Sequence, residues 1–177
     1  MEDAVLGVTQ GCLNHLSRDQ LQGIIGHEVS HIMNGDMRLN LKLIAGLHGI
    51  FLIHITGQKV ARIQPSRKRE APGFVMAGLF LSVLGRGGYF FGRLIQSAVS
   101  RQREFLADAS SVQFTRSPEG LMTALQTLSK QGSNIRSPAA VSASHLFFGN
   151  ALSHSGWLAT HPPLQERIDR LRMELKS

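Results

Sequence analysis

Two histidines and a glutamate stand together in the run His27-Glu28-Val29-Ser30-His31. Residues four apart share one face of a helix, so both imidazoles can reach a single zinc ion. The glutamate beside the first histidine can then hold a water on that metal, and the chemistry of such a set is hydrolysis. The bland alternative is two surface histidines on an amphipathic helix. A catalytic zinc also needs a third protein ligand and an open position. In Glu104-Phe105-Leu106-Ala107-Asp108, Glu104 offers a ligand, and Asp108, one turn on, offers an acceptor for the N–H of a ligating histidine. On spacing alone, a solvated Glu104 paired with Arg101 is an equally good reading. The one cysteine, Cys12, excludes an internal disulfide and any CxxC zinc site, so a metal here needs histidine and carboxylate ligands.

The elements that must position these groups are mostly helical. Ser17 and Gln20 form a capping box ahead of Leu21, Ile24, Ile25 and Ile32, and Asn34-Gly35 ends the run, which predicts a helix over 18–34 carrying both histidines. Residues 4–9 read as a strand and imply a small sheet. Leu43–Gln58 and Ala71–Gly85 hold no Asp, Glu, Lys or Arg, and each falls short of the roughly 20 apolar residues of a spanning helix. Between them lies KVARIQPSRKRE, a basic loop. Helical patterning returns over 90–114 with Glu104 and Asp108. Ser117-Pro118 opens another helix through Leu121, Leu125 and Leu128 to Gly132. Residues 132–160 read as loop with a short helix, and Leu164, Ile168, Leu171 and Leu175 stripe a last helix after Pro162-Pro163. The expected class is α+β, mainly helical, in a single domain over 1–177 with a hairpin-like apolar insertion over 43–92.

Nineteen basic against twelve acidic residues give a formal charge of +7, compatible with an anionic surface or acidic substrates. One Tyr and one Trp do not make a base-stacking surface, so nucleic acid is set aside. The first residues show no basic region followed by an apolar stretch of signal-peptide type. His48 and His54 lie in the first uncharged stretch and read as polar positions at a membrane or protein contact. His15, His145 and His154 have no specific support as ligands, and Cys12 reads as a small buried residue.

The segments HEVSHIMNGD, SRQREFLADAS and THPPLQERI, in this order and near these separations, resemble the HtpX-like zinc metallopeptidases, relatives of the CAAX prenyl endopeptidases and Oma-type proteases. The resemblance covers nearly the whole chain. It implies a zincin-like gluzincin domain, one Zn2+ held by His27, His31 and Glu104, Asp108 behind the ligands, and Glu28 as the base. It points to His161 and Arg167 as groups near the scissile carbonyl, where an imidazole or guanidinium can donate to a developing oxyanion. It further implies membrane anchoring, with the site facing the cytoplasm at the inner membrane. The family's Asn-Ala edge strand would lie upstream of Val5, so part of the substrate cleft is expected outside this chain.

The sequence therefore predicts a zinc endopeptidase acting on extended or unfolded polypeptide, including membrane-protein segments bound along a sheet edge, in membrane- or misfolded-protein quality control. A zinc aminopeptidase is a rival, though no GxMEN-like anchor for a free amine is present. A zinc-bound membrane scaffold or holdase is the non-enzymatic rival, and Glu28 argues against it, since a scaffold needs no base. For the apolar hairpin, the shortness of its arms and its basic loop favour a pair of helices lying on the membrane surface.

Overall fold

The structure is a computed structural model that describes residues 4–63, 71–131, 159 and 161–175. Among these residues there are helices and no strand: α1 Gln10–His15, α2 Arg18–Met33, α3 Asp36–Ala61, α4 Ala71–Thr115, α5 Pro118–Gln131 and α6 Leu164–Glu174. The expected small sheet is thus corrected. Residues 4–9 carry strand-like residues, but a strand exists only with a partner to bond, and none of the described segments pairs with them. Val5 is 94% exposed. The expected short helix within 132–160 lies outside the described residues.

The chain divides into two compact units, Met1–Met37 with Val99–Ser177, and Arg38–Ala98. In the first unit the capping box forms as its sequence dictates. Ser17 Oγ accepts from the Gln20 N–H and Gln20 Oε1 accepts from the Ser17 N–H at 2.9 Å. Gly35, at φ +67°, makes the left-handed turn that ends α2 and starts α3 at Asp36. The core is Leu121, Leu125, Leu164, Ile168 and Leu171, with Ile24, Val112 and Met122 packed on it. Helices α2 and α5 approach so closely that a Cβ at Gly23 would sit 2.5 Å from the Leu121 nitrogen. Ser111 Oγ donates to the Gly23 carbonyl at 2.6 Å, which ties α4 to the helix of the two histidines.

In the second unit, α3 and α4 pack backbone against backbone. A Cβ at Gly78 would collide with the Ala61 backbone, one at Gly57 with Ser82, and one at Gly85 with His54. His54 is buried, its Nδ1 2.9 Å from both the carbonyl oxygen and Oγ of Ser82. His48 stays on its own helix, its Nδ1 3.1 Å from the Ile44 carbonyl. The uncharged stretches understated these helices, which run for 26 and 45 residues, or about 39 and 67 Å at the α-helical rise. Both contain windows apolar enough to cross a membrane, and only 11% of each window is buried in the structure. The glycine-rich Gly85–Gly92 run is helical throughout, and Gly85, Gly88 and Gly92 face His54, Ile50 and Leu47 of α3, whereas Gly87 faces open space.

Leu125 is fully buried. Leu125→Ala is expected to lower stability by about 2–5 kcal/mol, read as a fall in the denaturant midpoint at unchanged slope; a loss under about 1 kcal/mol would mean the core lies elsewhere.

Candidate metal centre

Helix α2 presents His27 and His31 one turn apart, and α4 brings Glu104 to them. His27 Nε2 and His31 Nε2 are 3.0 Å apart. Glu104 Oε2 is 3.5 Å from the first and Oε1 3.7 Å from the second. These three residues are a group able to hold a metal ion. Ligands at about 2.0–2.1 Å from a tetrahedral zinc stand roughly 3.3–3.4 Å from one another, so the observed spacings suit that ion.

The back of each imidazole fixes which nitrogen faces the centre. His27 Nδ1 lies 2.9 Å from Asp108 Oδ1, and His31 Nδ1 lies 2.6 Å from Asp36 Oδ2. A carboxylate accepts, so each Nδ1 is the donor, and each neutral ring is left with a lone pair on Nε2. Two Nε2 atoms 3.0 Å apart beside a carboxylate call for a cation among them, either a proton shared between the rings or a metal ion. The donor set therefore fits zinc.

Arg167 is 1% exposed, and its guanidinium grips Asp108 through both oxygens, Nε to Oδ2 at 2.8 Å and NH2 to Oδ1 at 2.6 Å. Its NH1 is 3.2 Å from Glu104 Oε2. Burial works against the guanidinium charge, but the bonds to Asp108 and the charges of Asp108, Glu104 and Glu28 outweigh it and raise its pKa. Burial likewise opposes a charge on His27, while hydrogen bonds to Asp108 and Glu104 raise its pKa against the nearby Arg167. His161, three residues before α6, sets Nδ1 3.0 Å from Glu104 Oε1 and is about one-third exposed. Its Nε2 makes no hydrogen bond among the described residues. Glu28 is half-buried, with no hydrogen bond or ion pair among the described residues. Arg101 donates to the Ala159 carbonyl at 3.1 Å.

All seven residues singled out in the sequence thus gather in the first unit. Two more belong with them. Asp36 is the partner of His31, and Arg103 holds Asp36 in turn, with Nε 2.5 Å from Oδ1. The signals were the Asp five residues after His31 and the Arg immediately before Glu104. Neither spacing is a helical i,i+4 relation, and only Gly35's turn and the approach of α4 bring them together.

A model of peptidase family M48 matches residues 2–175. The chain belongs to that family. It is 38% identical over 175 residues to a protein named Protease HtpX homolog from Dictyoglomus turgidum, covering 97% of this chain and 57% of that one. Proteins of the same name from Streptococcus uberis and Streptococcus equi subsp. equi are each 36% identical, with 97% of this chain and 60% of theirs covered. The chain thus spans somewhat over half the length of these M48 relatives. No solved structure matches it.

Because Arg167 is buried against two carboxylates, removing it strands their charge. Arg167→Leu is expected to destabilise the protein by about 3–5 kcal/mol. Chemical denaturation of the two proteins side by side checks this, and equal stability would contradict the paired, buried guanidinium.

Proposed function

We propose that this chain carries the metal centre of a zinc-dependent endopeptidase. The observation that carries the reading is the pair of imidazoles whose Nδ1 atoms are committed to carboxylates and whose Nε2 atoms converge with Glu104. Zinc would be held by His27, His31 and Glu104. When bound, zinc would polarise a scissile carbonyl and lower the pKa of water toward ~7. Glu28, one residue along from a ligand and without a hydrogen bond or ion pair among the described residues, takes the proton from the attacking water and passes it to the leaving amine. His161 Nε2 donates to the developing oxyanion, its ring oriented by the Nδ1 contact with Glu104. Arg167 has a different task in this reading: a buried guanidinium shared between Asp108 and Glu104 orients the ligands and does not reach substrate. The substrate is polypeptide, as the family's peptidase character supports.

The second unit supports membrane attachment through its two helices. Exposed apolar residues surround it on wide arcs: Phe51, Leu52 and Ile53 follow one another on α3, and Phe74, Val75 and Met76 on α4. Consecutive residues point about 100° apart, so no single face gathers them, whereas a helix lying on a surface needs a one-sided apolar face. The hairpin therefore crosses the bilayer. Exposed Arg86 costs about 2.5–3.5 kcal/mol at the bilayer centre, set against the many exposed apolar side chains. In sequence, Lys59, Arg62, Arg67, Lys68 and Arg69 around the join between the two apolar stretches are matched by Arg38, Lys42, Arg93, Arg101 and Arg103 on their other sides. Charge alone then leaves sidedness balanced, and a cytoplasm-facing metal centre at the inner membrane is compatible with it.

Two outcomes follow. Glu28→Gln in the full-length protein is expected to retain zinc and lose proteolysis by at least about 100-fold; casein digestion with metal analysis tests it, and activity within a few-fold of wild type would move the base elsewhere. A single cysteine at Ser66 in a Cys12→Ala background is expected to react with an impermeant reagent from outside intact cells. Protection there, with labelling only after lysis, would return the hairpin to the cytoplasmic surface.

A further inference from the structure

The metal centre is built twice on one plan. Behind His27, a carboxylate on α4 accepts from Nδ1 and is gripped by an arginine of α6. Behind His31, Asp36 at the start of α3 accepts from Nδ1 through Oδ2, and its Oδ1 takes Nε and NH2 of Arg103 from α4. The same guanidinium donates from NH2 to the Asn34 carbonyl at 3.0 Å, holding the turn that delivers Asp36. The two oxygens of Asp36 are thus divided between one imidazole and one guanidinium. The environments differ: the His27 set is 1–6% exposed, whereas His31, Asp36 and Arg103 are 21%, 14% and 27% exposed.

We propose that Asp36 and Arg103 form a positioning pair that sets the tautomer and orientation of His31 toward a bound metal. This rests on the zinc reading above. Asp36 holds the ring proton on Nδ1, so the Nε2 lone pair points at the centre, and its charge makes that nitrogen a stronger donor. Arg103 acts through Asp36. Its fork fixes the carboxylate plane, and its charge keeps Asp36 from turning inward as a competing ligand. In sequence the pair brackets the whole second unit, since Asp36 is followed by Arg38 and Arg103 comes shortly after Ala98.

The test uses full-length protein and zinc alone, with affinity measured by chelator competition and folding by circular dichroism. Wild type and Glu104→Ala set the scale. Asp36→Ala is expected to bind zinc about 10–100-fold more weakly at unchanged helicity. Arg103→Ala should weaken binding by less, and Arg103→Lys should restore part of that loss. The double variant should bind no more weakly than Asp36→Ala, because one residue acts through the other. In the zinc-loaded protein, NMR should find a deshielded His31 Nδ1 proton that survives in Asp36→Asn, whose amide oxygen still accepts, and disappears in Asp36→Ala. If Asp36→Ala does not fold, Arg103→Ala and Asp36→Asn decide the matter by the same readouts. Zinc affinity within about threefold of wild type in the Asp36 and Arg103 variants overturns the proposal. A wild type that takes up no zinc overturns the metal reading itself, which is a distinct result.

Discussion

The first unit is organised around two imidazole Nε2 atoms held 3.0 Å apart beside a carboxylate. That arrangement calls for a cation, and the rest of the site enforces it. Helix α2 supplies the spacing, Asp108 and Asp36 hold the ring protons away from the centre, and Arg167 and Arg103 hold those carboxylates. Glu28, Asp36, Glu104 and Asp108 bring four negative charges to this region and the two arginines bring two positive ones. The carboxylates outnumber the arginines, which favours a cation at the centre. Packing follows the same need. The glycine-mediated approach of α2 to α5 and the Ser111 bond from α4 to Gly23 fix the histidine helix against the helix that carries Glu104 and Asp108.

The second unit obeys a different constraint. Its helices meet through glycines, which leaves their larger apolar side chains pointing outward. In water that surface is costly, at roughly 25 cal/mol for each Å² of apolar area. In lipid it costs nothing, and close backbone approach through small residues is how helices associate there. His54 is the polar exception, and burial against Ser82 satisfies its Nδ1 within the helix pair.

Much of this was legible in the sequence because it is local. The capping box, the i,i+4 histidines, the Pro118 start and the leucine stripe over 164–175 depend on neighbours within a turn or two, and α2, α5 and α6 begin and end close to where those signals lie. What was not legible depends on partners far along the chain. Residues 4–9 have strand-like composition, but no described segment pairs with them. Asp36 and Arg103 are 67 residues apart, and each alone is an ordinary surface charge. Arg167 has the chemistry to face an oxyanion, yet only the packing of α6 against the site shows it enclosed between Asp108 and Glu104. Counting uncharged residues shortened α3 and α4 because helices continue through arginine and glycine when the tertiary environment accepts them.

Zinc K-edge X-ray absorption on the purified full-length protein reads directly whether the two imidazoles and one carboxylate hold a single zinc. Four-coordinate zinc is expected, with a first shell of nitrogen and oxygen at about 2.0–2.2 Å and the outer-shell scattering of two imidazoles. A shell containing sulfur, or one without imidazole scattering, would contradict it.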